Sequence, residues 1–145
     1  MFSKACEYAI KASVFIAVKS LKDEMVGLQE ISKKIDSPLY FTAKILQNLV
    51  KHNIIDSVKG PHGGFAIKIC KLSKLKLSEV VSAIDGDAIF KGCGLGFDHC
   101  NENKPCSIHY KFKVVRNKLQ DMLENTTLLE LSNDINMGKS FLISN

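Results

Sequence analysis

Residues 28–66 carry two helical patterns, a tight turn and a glycine-rich hairpin, and this order constrains the fold more than any other feature. Apolar residues recur at helical spacing over residues 28–35 and again over residues 38–51. Asp36 and Ser37 interrupt the two patterns. Pro38 suits a first helical position because it lacks an N–H that would be unsatisfied there. Ser37 is therefore the predicted N-cap of the second of these helices.

A β-hairpin is predicted directly after the two helices. Its flanks, residues 54–59 and 65–70, are rich in β-branched and aromatic residues, whereas residues 60–64 read Gly-Pro-His-Gly-Gly, which is turn composition. An earlier amphipathic pattern over residues 5–21 predicts one more helix on the N-terminal side. This order is that of a winged helix-turn-helix. We expect a mainly α-helical fold with a small β-hairpin, followed by a long C-terminal helix.

The third helix, residues 38–51, is the predicted DNA-binding element. Its apolar stripe, which consists of Phe41, Ile45, Leu46 and Leu49, is expected to face the core. The opposite face and the glycine-rich hairpin tip would then meet phosphates and base edges of double-stranded DNA. The predicted DNA-binding residues are Ser37, Leu39, Tyr40, Thr42, Lys44, Gln47, Asn48, Lys51, Lys59, His62 and Gly63.

Charge is distributed unevenly along the chain, which has a net charge of +5. Residues 1–70 hold ten lysines against six acidic residues, whereas residues 71–145 hold ten basic residues against nine acidic ones. A phosphate-binding surface is therefore expected in the N-terminal half. The alternative for this part of the chain is a winged helix that makes only protein contacts.

The chain shows no signal-peptide pattern and no apolar run near the ~20 residues that a membrane-spanning helix needs. These features predict a cytoplasmic protein without a membrane partner. Disulfides are rare in that compartment, so the five cysteines need another explanation. Cys6 and Cys70 fall in a predicted helix and a predicted strand, where a free cysteine acts as a small hydrophobic residue.

The other three cysteines lie in a glycine-rich segment, residues 87–107, that has no helical or strand periodicity. Cys93, Cys100 and Cys106 are spaced as C-x6-C-x5-C, and His109 follows. Thiolates at this spacing in a flexible loop can surround one soft metal centre. Zinc sites usually contain closely spaced cysteine pairs, which are absent here. The spacing therefore suits an iron–sulfur cluster better than zinc.

A long helix is predicted after this segment, over about residues 107–124. Apolar residues at spacings of four, three, four and three form a two-heptad seam, which is typical of a helix that packs along another helix. The seam consists of Ile108, Phe112, Val115, Leu119 and Met122. The predicted organisation is a winged helix-turn-helix domain at 1–86, a cysteine-rich loop at 87–107, a dimerisation helix with a short terminal helix at 108–135, and a tail at 136–145.

One block of residues also matches a known family pattern. It contains Pro38, Phe41, the segments KILQNL (44–49) and SVKGP (57–61), and Gly63-Gly64-Phe65. With Glu7-Tyr8-Ala9 and VVSAIDG (80–86), it resembles the Rrf2 family of bacterial regulators over about residues 2–130. Phe41 and Thr42 stand where the family commonly has Tyr-Leu, and Ala43 replaces an acid of the cluster-biogenesis members. The resemblance implies a homodimeric DNA-binding transcriptional regulator, not an enzyme, whose subunits pack through the C-terminal helix.

The resemblance also implies a [2Fe–2S] or [4Fe–4S] cluster on Cys93, Cys100 and Cys106. The fourth ligand is either His109, as in the cluster-biogenesis members, or Glu7, as in the nitric-oxide-sensing members. Such a regulator would sense iron, oxygen, nitric oxide or cluster supply. Two alternatives are a cluster-free regulator that responds to a small molecule or a partner protein, and an iron–sulfur carrier or redox protein. No nucleotide-binding or hydrolase motif is present in the sequence.

Overall fold

The computed structural model describes residues 1–144, so Asn145, the last residue of the predicted tail, lies outside the described residues. The chain forms eight helices and one hairpin within that range. In order, these are α1 (Lys4–Ser20), α2 (Leu28–Lys34), α3 (Leu39–Lys51), β1 (Asp56–Val58), β2 (Gly64–Ala66), α4 (Ile69–Leu72), α5 (Leu77–Asp85), α6 (Ala88–Lys91), α7 (His109–Asn125) and α8 (Leu128–Asn136). The predicted mainly α-helical fold with a small β-hairpin is confirmed.

Helix α1 is the centre of the fold. Small and apolar residues cover most of its surface, and it packs against α3, α5 and α8. Ile16 is fully buried among them, and burial of a side chain of that size stabilises the fold by about 1.5–3 kcal/mol. Ser3 caps the helix by accepting a hydrogen bond from the Cys6 N–H, and it also bonds the carboxylate of Asp85. The Ser3–Asp85 bonds therefore tie the start of α1 to the end of α5.

The turn between α2 and α3 is held by hydroxyl groups. Ser32 Oγ donates a hydrogen bond of 2.6 Å to the carbonyl oxygen of Ser37, while Asp36 adopts a left-handed conformation with φ 53°. The Ser37 hydroxyl contacts Thr42 Oγ1 and does not cap the helix, so the predicted N-cap is wrong. The N-cap is Pro38, and α3 begins one residue later than predicted.

The hairpin forms the wing, with Ser57 paired to Phe65 at its centre. Phe65 also exchanges backbone hydrogen bonds of 3.1 and 2.7 Å with Val26, which attaches the wing to the segment before α2. Gly64 lies at φ +147°, and a Cβ there would be 2.7 Å from the Val26 carbonyl oxygen. Glycine is required at that position because the two backbones approach so closely.

Two predicted segments differ in the structure. The second strand ends at Ala66, and residues 69–72 form the short helix α4. Cys70 is therefore exposed on a helix, so its predicted place as a small core residue in a strand is wrong, whereas Cys6 is fully buried as predicted. The segment 87–107 is not entirely irregular, because α6 occupies its start. A helix of four residues is too short to show a periodic pattern.

Helix α7 is joined to α5 near its C-terminal end. The Leu77 N–H donates a 2.8 Å hydrogen bond to Thr126 O, and the Leu128 N–H donates one of 3.0 Å to Leu75 O. Leu123 is fully buried in a small cluster with residues of α1 and α5. Thr127 then caps α8 by accepting a hydrogen bond from the Glu130 N–H. Across residues 1–144, none of the helices has both the length and the apolar character needed to span a bilayer.

Candidate nucleic-acid interface and cysteine site

The outer face of α3 is polar and open to solvent. Tyr40 is 73% exposed, and the ammonium group of Lys44 lies 4.8 Å from the centre of the Tyr40 ring. This contact orients both side chains on the surface, because an ammonium group over an aromatic face is attracted by the ring electrons. The other predicted DNA-binding residues of the helix that are exposed are Leu39, Gln47, Asn48 and Lys51.

Thr42 is not on that face. It is fully buried, and its hydroxyl donates a 2.8 Å hydrogen bond to the carbonyl oxygen of Pro38. The prediction that α3 presents Thr42 to solvent is therefore wrong. Ile45 and Leu46, three and four residues later, are buried on the same side of the helix. A threonine can join such an apolar stripe because the preceding turn supplies an acceptor for its hydroxyl.

One flank of α3 meets a basic face of α1 that the sequence analysis missed. The rings of Phe41 and Tyr8 are in edge-to-face contact, with centroids 5.8 Å apart. The ammonium groups of Lys4 and Lys11 lie 5.1 and 5.8 Å from the centre of the Tyr8 ring. The signal that was available in the sequence is a tyrosine on an α1 face with lysines four residues before and three after it. Lysines therefore also line the flank of α1 that meets α3, where Lys4 is in addition paired with Glu7.

The tip of the wing is exposed at Lys59 and His62. Gly63 is half-buried, and its N–H donates a 3.0 Å hydrogen bond to the carbonyl oxygen of Gly60, which closes the turn. A Cβ on Gly63 would lie 2.0 Å from the carbonyl oxygen of Val58. The tight tip therefore depends on glycine and places the predicted wing residues together at one end of the hairpin.

In residues 1–144, the three cysteines of the segment 87–107 and His109 do not come together as one group. The Leu95 N–H donates a 3.4 Å hydrogen bond to the Cys93 sulfur. The backbone N–H of Leu95, and then that of Phe97, lower the pKa of the Cys93 thiol below its ordinary value. Amide groups that donate to sulfur favour a thiolate, which is the form that binds metals.

Cys100 and His109 are in contact, and the Cys100 sulfur and the His109 Nδ1 atom are 3.4 Å apart. His109 is 3% exposed, and its buried Nε2 has no hydrogen-bond partner among residues 1–144. In the same part of the chain, no three His, Cys, Asp or Glu side chains lie close enough together to hold one metal ion. Glu7, the other predicted ligand, forms an ion pair of 3.2 Å with Lys4.

The predicted seam of α7 divides between two environments. Ile108 and Phe112 pack on Gly94 of the cysteine segment, and Leu119 packs against the small cluster around Leu123. The other two seam residues, Val115 and Met122, are exposed. Tyr110 and Val114, which do not belong to the predicted seam, are exposed as well. The exposed apolar face of α7 consists of Tyr110, Val114, Val115 and Met122.

Comparison with known proteins places this chain among transcriptional regulators. The Rrf2 family model, described as an iron-dependent transcriptional regulator, matches residues 2–134. A protein of Aquifex aeolicus classed with the HTH-type transcriptional regulators is 32% identical over 136 residues, which cover 92% of each chain. The HTH-type transcriptional regulator IscR of Escherichia coli K12 is 29% identical over 127 residues, covering 88% of this chain and 76% of IscR.

Solved structures share the fold. CymR, the global cysteine regulator of B. subtilis, superposes with a TM-score of 0.75 at 13% identity, covering 92% of this chain and 96% of CymR. IscR of T. potens superposes with a TM-score of 0.72 at 16% identity, covering 97% of this chain and 91% of that one. At these identities the likeness concerns the fold alone.

Proposed function

The chain belongs to the Rrf2 family of DNA-binding transcriptional regulators, and from this we propose that it binds double-stranded DNA as a homodimer with α3 in the major groove. The observation that carries the proposal is the division of α3 into a buried apolar stripe and an exposed face with Tyr40, Lys44 and Gln47. Lysines bind phosphates, and tyrosine and glutamine side chains hydrogen-bond to phosphates or base edges. Lys59 and His62 at the wing tip would contact the backbone or the minor groove.

The exposed apolar face of α7 supports the homodimer. Tyr110 and Val114 are 66% and 55% exposed, and one helical turn separates them. Contiguous exposed apolar residues on a soluble protein usually mark an interface. Two copies joined through α7 would present two α3 helices, which must lie about 34 Å apart to enter successive major grooves on one side of the duplex.

We further propose that Cys93, Cys100, Cys106 and His109 hold an iron–sulfur cluster, with Glu7 as the alternative fourth ligand. Amides that donate to the Cys93 sulfur and the unpartnered Nε2 of buried His109 suit such a group. When bound, the cluster supplies a centre that reacts with oxidants or nitric oxide. The residues themselves would connect that centre to α7, because Gly94 packs on Phe112 within this helix.

A cluster-free regulator is the second candidate. It is favoured because no three metal-binding side chains lie together in residues 1–144, where His109 contacts Cys100. In that case the cysteine segment would respond to a small molecule or a partner protein. An iron–sulfur carrier or redox protein would bind the cluster and would not need the exposed polar face of α3.

The test of DNA binding is the affinity for a genomic operator fragment, measured by gel shift over a range of salt concentrations. We expect the affinity to fall steeply with salt, because lysines that bind phosphates release counterions. Lys44→Ala should weaken binding, whereas Lys118→Ala, on the exposed surface of α7, should not. A flat salt dependence would instead favour a winged helix that makes only protein contacts.

The test of the cluster is purification without oxygen, followed by iron and sulfide analysis and a visible absorption spectrum. We expect stoichiometric iron and sulfide with sulfur-to-iron charge-transfer bands. Cys106→Ala should abolish the bands, and Cys70→Ala, a change at the exposed cysteine of α4, should preserve them. Colourless, iron-free protein that still binds DNA would favour the cluster-free regulator, and coloured protein without DNA binding would favour the carrier.

A further inference from the structure

A cleft of about 360 Å³ lies between α6 and α7, beside the cysteine segment. This volume is at the lower end of the range for small-molecule sites, ~300–1,000 Å³. Its walls are mainly apolar and include Ile89 of α6 and three residues of the predicted α7 seam, Phe112, Val115 and Leu119. Val115 also belongs to the exposed apolar face of α7, so the cleft borders the proposed dimer contact. Cys93 lies at one side of the cleft. The cleft is thus large enough for a compact apolar molecule.

The only charged side chain in the lining is that of Arg116, which is also the only arginine in the sequence. Its Nη1 donates a 2.8 Å hydrogen bond to the carbonyl oxygen of Gly92, and its buried Nε has no partner. In residues 1–144 no carboxylate forms an ion pair with Arg116. Glu102, whose pKa is lowered by Lys113 and more weakly by Arg116, is bound to Lys113.

The half-buried Arg116 guanidinium donates to a neutral carbonyl, which compensates poorly for the hydration that the charge loses on burial. A guanidinium offers five N–H donors, and its planar group matches the two oxygens of a carboxylate. Burial of a charge costs free energy unless an opposite charge or several hydrogen bonds replace the lost water. An anion with an apolar body would satisfy both the guanidinium and the apolar walls. We propose that this cleft binds a small organic acid, with its carboxylate on Arg116 and its hydrocarbon body between α6 and α7.

Binding of such an acid would reach the cysteine segment through Gly92. A carboxylate is a stronger acceptor for a guanidinium than a neutral carbonyl, so it would compete with Gly92 O for Arg116. Gly92 directly precedes Cys93. The acid would therefore loosen the attachment of the cysteine segment to α7. Any change in DNA binding that follows from this loosening rests on the proposed function, whereas binding of the acid does not.

The test is isothermal titration calorimetry of the full chain, without DNA, against hexanoate and against hexan-1-ol. Both probes have six carbon atoms, and a neutral CH2OH group in hexan-1-ol replaces the carboxylate of hexanoate. We expect hexanoate to bind at least about tenfold more tightly than hexan-1-ol, since a charge-assisted hydrogen bond contributes about 1.5–3 kcal/mol. Arg116→Gln should remove this difference. Lys118→Gln, which makes the same change in charge at an exposed position of α7, should preserve it.

Methyl NMR of the unmutated chain provides a second measurement that does not depend on the folding of any variant. Hexanoate should shift the methyl signals of Ile89 and Val115 and leave those of buried Ile31 in α2 unchanged. The proposal is overturned if neither probe binds, if both bind equally, or if Arg116→Gln folds normally and still prefers hexanoate. If neither probe binds and Arg116→Gln alters only dimerisation, the cleft is instead a contact between subunits.

Discussion

Gly94 lies directly against the ring of Phe112, where a Cβ atom on the glycine would be 2.9 Å from Phe112 Cγ. The same Cβ would be 3.1 Å from Cδ1 of Ile108. The absence of a side chain at residue 94 therefore allows the cysteine segment to pack closely on the start of α7. This contact and the Arg116–Gly92 hydrogen bond are two separate attachments of the segment to the same helix.

The first prediction concerns this contact. Gly94→Ala should lower the free energy of unfolding by about 1–3 kcal/mol, because an extra methyl group in a filled contact forces its neighbours to move. Urea denaturation measures the change. The same substitution in a Phe112→Leu background should cost less, since leucine leaves more room. An equal cost in both backgrounds would contradict the contact.

The second prediction separates burial from DNA contact at Thr42. Thr42→Val should lower the free energy of unfolding by about 1 kcal/mol, because the hydroxyl bonds Pro38 O in the core. Thr126→Val is the matched control, since Thr126 Oγ1 makes the same type of bond to Met122 O at an exposed position. We expect the control to cost less. A Thr42→Val protein with normal stability and no DNA binding would show that Thr42 contacts DNA.

The third prediction concerns thiol reactivity in the metal-free protein. Burial, and then the nearby Asp85 carboxylate, raise the pKa of the Cys6 thiol to about 12, so this thiol stays protonated at neutral pH. The amide donors that lower the pKa of Cys93 act in the opposite direction. Iodoacetamide at neutral pH should therefore modify Cys93 much faster than Cys6. Peptide mass spectrometry measures both rates, and exposed Cys70 shows that the reagent is active. Equal rates at Cys6 and Cys93 would be inconsistent with these environments.

The fourth prediction distinguishes the two candidate fourth ligands. His109 is buried beside Cys100, whereas Glu7 is partly exposed and paired with Lys4. We expect His109→Ala to accelerate cluster loss on exposure to air, measured from the decay of visible absorption. His109→Cys should retain the absorption, because a thiolate replaces the imidazole, and this rescue separates ligation from packing. Glu7→Gln should behave like the unmutated chain, and the reverse result would assign the ligand to Glu7.

The parts of the fold that the sequence predicts well are those set by local patterns. The apolar periodicity of α3 and the Gly-Pro-His-Gly-Gly turn of the wing each depend on neighbouring residues, and both are confirmed. Thr42 was misplaced because a hydroxyl bonded within its own helix tolerates burial as an apolar side chain does. Helix α6 was missed because four residues show no period.

The candidate site was predicted less completely because its contacts join distant residues. The spacing of the cysteines indicates a common site, but not that Cys100 lies beside His109. Likewise, no local pattern indicates that Tyr8 supports Phe41, since 33 positions separate them and α1 must first pack on α3. Which of these residues contact DNA or a cluster remains a prediction.

Two backbone hydrogen bonds join the residues just after α7 to the residues at the start of α5, and they restrict how α7 can move. Leu77 and Thr126 fix the C-terminal end of a helix that is 17 residues long, or about 25 Å at 1.5 Å per residue. The other end rests on Gly94 and can shift only with the cysteine segment. Rearrangement at the cysteines would therefore rotate α7 about its C-terminal end, with the largest displacement at Tyr110 and the smallest at Met122.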